Sequence, residues 1–349
     1  CVCVYDMTAS CLRPTLDAPG QAIVMGMSRS GSSLTTSIVA SLFGGSVTAW
    51  RGGGSELPAD SANPRGYFER RDVVGLNYEA IRVAGQRWYT FPSDFSSSPR
   101  VLFSSPDVAM NSGVRTRNAS AIFRERASRI VADMNKHTHA RGGTPWVLKD
   151  VRFARTLPMW RPFLSDRIAC IVPYRHPAEV AASSRMSMTD RVAMWQNYML
   201  AALATARTLQ CPTMLVAYER WLPRNHTTGV SVASQAQLAE LLEFFRCAGF
   251  SGLPQSPPTA RLAQLIQPSQ YHHREQSMPP SIKPRISLSA ECLWNELRSA
   301  RALRWEWNQL RGRFKGLPCT NEALAAASRS NHAAPGVSSW ARWTVHYSF

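Results

Sequence analysis

Apolar positions along this chain fall into short runs and longer helical stripes that take turns. Ala22 to Met25 is a four-residue apolar run, read as a buried strand. A turn rich in Gly and Ser follows (Gly26 to Ser33), then an apolar helix-length run from Leu34 to Phe43 that Gly44-Gly45 stops. Residues 72–85 carry a helical stripe in Val73, Val74, Leu76 and Ile81, and a helix over about Ala119 to Lys136 puts Ile122, Phe123, Ile130 and Met134 on one side. Trp146 to Leu148 reads as a second strand and Ile168 to Val172 as a third. Between them lies a helix from about Phe153 to Phe163, its regularity limited by Pro158 and Pro162.

Pro177 opens the next helix, Ala178 to about Met186, at the position that suits proline. Asp190 to Thr208 is the clearest long helical pattern, with Asp190 as its N-cap. Thr213 to Ala217 reads as a fourth strand ending in Tyr218-Glu219, and Gln235 to Cys247 as an amphipathic helix. The chain is polar and Pro-rich after Gly249 until about Ile286, and a last helix covers Leu293 to about Arg313. Strands alternating with helices predict a parallel sheet with helices on both faces, a three-layer α/β/α fold. The expected organisation is a loose lead-in over 1–20, one α/β domain over 21–315 and a poorly ordered tail over 316–349. Residues 51–64 and 90–112 are Gly-, Pro- or Ser-rich loops, the second an irregular excursion or lid.

Composition narrows the partners. The 349 residues are 44% hydrophobic and 18% charged, as in a soluble globular protein, and no apolar run reaches the roughly 18–20 residues of a membrane span. The net charge is +17, mostly from arginine, since only Lys136, Lys149, Lys283 and Lys315 are lysines. That balance favours an anionic ligand: a nucleotide, sulfate or an acidic polymer. Nucleic acid is the generic alternative, but no basic run with interleaved aromatics is present. The cysteines form no C-x-x-C pair, so buried free thiols are expected for Cys170 and Cys211, while Cys1, Cys3 and Cys11 could pair in an oxidising compartment.

The strand–loop–helix at Gln21 to Gly45 is the strongest chemical signal. Loop and first-turn N–H groups converge on one anion, and the helix dipole adds its positive end. Gly26 and Gly31 keep the spacing of a P-loop and Ser33 its Ser/Thr position, but Ser32 stands where a nucleoside triphosphatase needs lysine. Arg29 supplies a cation inside the loop instead. The bland alternative is a glycine-rich turn with no ligand. Two other strand ends carry polar clusters, Lys149-Asp150-Val151-Arg152 and Tyr174-Arg175-His176-Pro177 with Ser183 eight residues after the arginine. In a doubly wound sheet ligands lie at the carboxyl ends of strands.

These stretches resemble the sulfotransferases that use 3′-phosphoadenosine 5′-phosphosulfate (PAPS), in their bacterial-type and carbohydrate branch. G-x-x-R-S-G-S-S at Gly26, R-G-Y-F-E ending at Glu69, L-K-D-V-R at Lys149 and R-H-P-x-x-V-x-x-S at Arg175 follow in that family's order. The likeness covers roughly residues 20–225. Ser28, Ser32 and Val151 depart from the pattern, and the R-K-G segment of the cytosolic branch is absent. The resemblance implies a P-loop-like fold and metal-free transfer of a sulfuryl group from PAPS to a hydroxyl or amine acceptor, including glycans. It implies that Arg29, Ser30, Gly31, Ser32 and Ser33 hold the phosphosulfate, and that Arg175 and Ser183 hold the 3′-phosphate. Tyr218 would contact the adenine, unless it is a core aromatic.

In-line transfer builds charge on the equatorial and leaving oxygens, which calls for cations and N–H donors. Lys149, entering from the neighbouring strand, would stabilise the bridging oxygen; the resemblance to glycan-modifying members implies that Glu69 in R-G-Y-F-E takes the acceptor's proton, with Asp150 as the other candidate base. The plainer role for Glu69 is a surface ion pair with Arg65, Arg70 or Arg71. His272-His273-Arg274 is either a late phosphate contact or a polar loop. Two other functions stay open, a P-loop small-molecule kinase and a polyanion-binding protein with a degenerate loop. The compartment would be cytoplasmic for a bacterial chain and the Golgi lumen if an upstream anchor has been lost.

Overall fold

The computed structural model describes residues 19–44, 56–60, 63, 66–84, 114–140, 142–183, 187–221, 230–266 and 288–299. Four parallel strands form the sheet: β1 (Gln21–Val24), β2 (Trp146–Lys149), β3 (Ile168–Tyr174) and β4 (Thr213–Ala217), in the order β2-β1-β3-β4. β1 is central, with Val24 opposite Lys149 on one side and Ile171 on the other. Both its faces are covered, which is why the run is continuously apolar rather than alternating.

The chain steps from β1 out to β2, then back across β1 to β3. Right-handed crossovers therefore put the connection from β1 to β2 and those from β2 to β3 and β4 on opposite faces. One layer holds α1 (Ser32–Leu42), which packs on β1, β2 and β3, while α2 (Arg71–Val83) and α3 (Val114–His139) pack on each other and α2 also on the helix that follows β2. The second holds α4 (Phe153–Trp160), α5 (Pro177–Ala182) and α6 (Met188–Thr208). Beyond the short α7 (Tyr218–Trp221) at the end of β4, α8 (Val232–Cys247) packs on that strand. α9 (Thr259–Leu265) packs on α1, and α10 (Leu288–Arg298) on α5 and α6. The result is the expected three-layer α/β architecture. The reversal of direction between β1 and β3 makes their carboxyl ends the switch point where such sheets open a crevice.

Several local expectations are corrected. α6 is capped by Ser187, whose Oγ accepts from Asp190 N at 3.2 Å and donates to Asp190 Oδ2 at 2.6 Å. Asp190 is thus the reciprocal partner inside the first turn, not the cap. Pro158 lies within α4, and the helix tightens into a 3₁₀ turn at Arg161–Phe163. α9 occupies part of the stretch read as polar and Pro-rich, and α10 begins five residues before Leu293. β3 continues past Val172 through Pro173. Ile171 O accepts from Met25 N at 3.0 Å while Cys170 N donates to Pro212 O at 2.8 Å, so Pro173 faces the β1 side just after β1 has ended. Its missing N–H therefore breaks no ladder bond.

Cys170 and Cys211 are not free thiols. They form a disulfide with a Cα–Cα distance of 6.0 Å, and Cys292 is also disulfide-bonded. Cys170 is paired in register with Thr213, so the residue entering β4 sits beside the residue inside β3. The two cysteines stand 41 positions apart, and only the strand pairing brings them together. The N-terminal lead-in, the 90–112 excursion, His272 to Arg274 and the tail over 316–349 lie outside the described residues.

Candidate functional site

The chain leaves β1 through Gly26, whose φ is +142° and whose missing Cβ would lie 3.3 Å from Pro173 O. A side chain there would be strained and crowded at once. Arg29 holds a left-handed φ of 69°, a conformation uncommon outside glycine and frequent at functional turns. Gly31, at φ +85°, precedes the first turn of α1 and has no side chain to cap it. Among the described residues no side chain caps the first-turn amides of α1, the groups that an anion at a helix N-terminus engages. Ser30 is fully buried, yet its Oγ has no partner among the described residues.

On the β2 side of the loop, three sequence-predicted residues meet. Lys149, the last residue of β2, brings Nζ to 2.5 Å from Glu69 Oε1, 3.0 Å from Tyr67 O and 3.4 Å from Ser33 Oγ. Asn63 Nδ2 also donates to Ser33 Oγ, at 3.0 Å. The segment that ends in Glu69 is thereby folded down over the mouth of the loop, with Gly66 at φ +89° and Phe68 at +54° making the bend. Glu69 is buried rather than on the surface, and its partner is Lys149. Arg70 instead bonds Asp72 and Asp133, at 2.8 and 3.1 Å. Burial raises the Glu69 carboxyl above the usual range; Lys149 opposes that rise and the like charge of Asp150 adds to it.

Asp150 sits next to Lys149 but faces structure. Its Oδ2 accepts from Asn77 Nδ2 at 2.8 Å, and its Oδ1 accepts from Arg152 N and Nη1 at 2.9 Å. Asn77 Oδ1 in turn accepts from Thr156 Oγ1 at 2.8 Å and Trp160 Nε1 at 2.7 Å, which fixes α2 to α4 beneath Lys149. With both oxygens occupied by these bonds, Asp150 orients the strand end. Glu69 is the carboxylate at the mouth of the loop.

On the β3 and β4 side, Tyr218 follows β4 and lays its ring against the loop: a Cβ on Gly31 would come 2.2 Å from Tyr218 Cδ2. The Arg175 guanidinium stacks over the same ring, 4.6 Å from its centroid. Arg175 and Ser183 do not bond each other. Arg175 Nε donates to Glu179 Oε2 at 2.7 Å, while Ser183 Oγ is 3.4 Å from Arg29 Nε. Ser183 follows the last turn of α5 rather than lying two turns inside a longer helix. Below, Glu219 Oε1 accepts from His176 N at 2.8 Å, and burial pushes its carboxyl up to about 7.

All four strands thus deliver residues at their carboxyl ends: the loop after β1, Lys149 from β2, Arg175 after β3 and Tyr218 after β4. Sequence reasoning missed Asn63, Asn77 and Arg191. Each acts through a partner far away in sequence, and a lone Asn or one more Arg in an arginine-rich chain carries no spacing signal. Among the described residues, no group of three or more His, Cys, Asp or Glu is placed to hold a metal ion, and no helix is long and apolar enough to cross a membrane. No protein-family model matches the chain, and no curated protein matches its sequence.

Proposed function

We propose that the chain transfers a sulfuryl group from PAPS to a hydroxyl or amine acceptor, with glycans as one acceptor class. One observation carries this reading. A lysine from the strand beside the loop touches both a loop hydroxyl, Ser33, and a buried carboxylate, Glu69. Sulfuryl transfer needs that grouping: a donor site, a cation for the leaving oxygen and a base for the incoming one. The loop has no lysine of its own at Ser32, which argues against nucleoside triphosphate chemistry.

In this reading Arg29 and the amides of Ser30, Gly31, Ser32 and Ser33 hold the phosphosulfate. Arg175 and Ser183 take the 3′-phosphate, and Tyr218 lines the nucleotide side. The acceptor's proton passes to Glu69 as its oxygen or nitrogen bonds to sulfur. The bond from sulfur to the bridging oxygen breaks, and that oxygen leaves on adenosine 3′,5′-bisphosphate, its new charge facing Lys149. Glu69 suits proton uptake because burial raises its pKa toward the working pH.

The test is calorimetric titration with adenosine 3′,5′-bisphosphate and with ATP, each with and without Mg²⁺. The reading expects bisphosphate to bind more tightly and without dependence on Mg²⁺. Tighter binding of Mg²⁺-ATP would overturn it in favour of a kinase.

A further inference from the structure

Arg191 is the buried cation of this site that no motif marks. It lies in the first turns of α6, 5% exposed, and its Nη2 donates to Ser28 Oγ in the loop at 3.0 Å. Its Nη1 lies 3.8 Å from Met194 Sδ. Arg29, one residue beyond Ser28, is close enough to repel it, and burial together with that like charge pushes the guanidinium down to about 10. The first turn of a 21-residue helix is also the positive end of its dipole. Burial, a neighbouring cation and the dipole all disfavour a positive charge at this position. An anion held by both guanidiniums would offset the repulsion between them and compensate the buried charge.

We propose that Arg191 and Arg29 form a two-guanidinium clamp on the loop anion, with Ser28 steering Arg191, and that the clamp selects a doubly charged bridged group over a single phosphate. The inference rests on the sulfuryl-transfer reading for the identity of that group, the 5′-phosphosulfate. Two forks, one in the loop and one held to it through Ser28, fit two linked tetrahedral anions better than one. Ser28 then has a specific part. It stands three residues before Gly31, and its hydroxyl holds one Nη of Arg191 against the loop.

The probe is inorganic pyrophosphate, which copies the bridged double anion without the nucleotide, titrated against the full chain alongside inorganic phosphate. Wild type is expected to bind pyrophosphate more tightly than phosphate. Arg191→Met should weaken pyrophosphate about 10- to 100-fold, with a smaller loss for phosphate, and Arg191→Lys should fall between. Ser28→Ala, which leaves every charge in place, should weaken pyrophosphate several-fold and covers the case in which Arg191→Met fails to fold. Pyrophosphate affinity unchanged within twofold in Arg191→Met, or in both Arg191→Lys and Ser28→Ala if the Met variant does not fold, overturns the clamp. So does a wild type that binds no pyrophosphate. Failure of adenosine 3′,5′-bisphosphate to compete with bound pyrophosphate would instead sink the sulfuryl-transfer reading and leave the clamp standing.

Discussion

Gly31→Ala probes the joint on which both halves of the site depend. Two costs act at once. The backbone is at φ +85°, where a Cβ costs about 1–2 kcal/mol. The new methyl would also lie 2.2 Å from Cδ2 and 2.9 Å from Cε2 of the Tyr218 ring, well inside contact distance. The ring is 8% exposed and has the Arg175 guanidinium 4.6 Å above it, so it cannot swing away freely. Overpacking of this kind costs about 1–3 kcal/mol. The variant should therefore lose about 2–5 kcal/mol in urea unfolding, read as a lower midpoint at unchanged slope. Tyr218→Ala removes the obstacle but not the strained φ. In that background Gly31→Ala should cost only about 1–2 kcal/mol, leaving a coupling of about 1–3 kcal/mol across the cycle. Equal cost in both backgrounds would show that Tyr218 does not cover Gly31, and a single variant within 0.5 kcal/mol (roughly the error of the measurement) would remove the strain argument as well.

Three further outcomes are expected. Glu69→Gln should lower turnover by about 10²–10⁴ while donor affinity stays within a few-fold; because burial raises this carboxyl, the acid limb of kcat/KM should lie above the usual carboxylate range, and near-normal turnover would exclude Glu69 as the base. Glu219, pushed from 4.5 up to about 7, binds its proton more tightly folded than unfolded, so its contribution to stability is full below about 4.5 and is lost as pH rises through about 7. Glu219→Gln should match wild type at about pH 4 and exceed it at about pH 8 by on the order of 3 kcal/mol, and a pH-independent difference would count against the shift. Replacing both Cys170 and Cys211 with Ala opens a loop spanning a 41-residue separation and should cost about 4 kcal/mol by chain entropy; a loss under about 1 kcal/mol in the urea midpoint would mean that the bridge contributes little.

What was legible in the sequence was whatever depends on neighbours in the chain. β4 matches its apolar run residue for residue, and β1 and β2 within a residue at each end, because a buried parallel strand must be continuously apolar. The loop's glycines announced their left-handed turns. The disulfide was not legible, since strand register rather than spacing brings Cys170 to Cys211. Nor could the chain order of R-H-P-x-x-V-x-x-S reveal that Ser183 lies nearer Arg29 while Arg175 turns to Glu179. A helix that stops at Ala182 instead of Met186 changes which way its last serine faces. Side-chain direction at helix ends is set by the cap, and this cap carried no sequence signal.

The buried pair of Lys149 and Glu69 explains why a base and a cation can share so small a space. Alone, either charge would pay several kcal/mol to leave water. Paired at 2.5 Å and tied to Tyr67 O and Ser33 Oγ, the lysine has a partner for each of its three protons. That satisfaction holds both groups at one geometry before any ligand arrives. In the proposed reaction an anion in the loop would compete with Glu69 for Lys149, and each step of the lysine toward the anion would remove the charge that lowers the carboxyl's pKa. In the proposed reaction, donor binding would therefore strengthen the base.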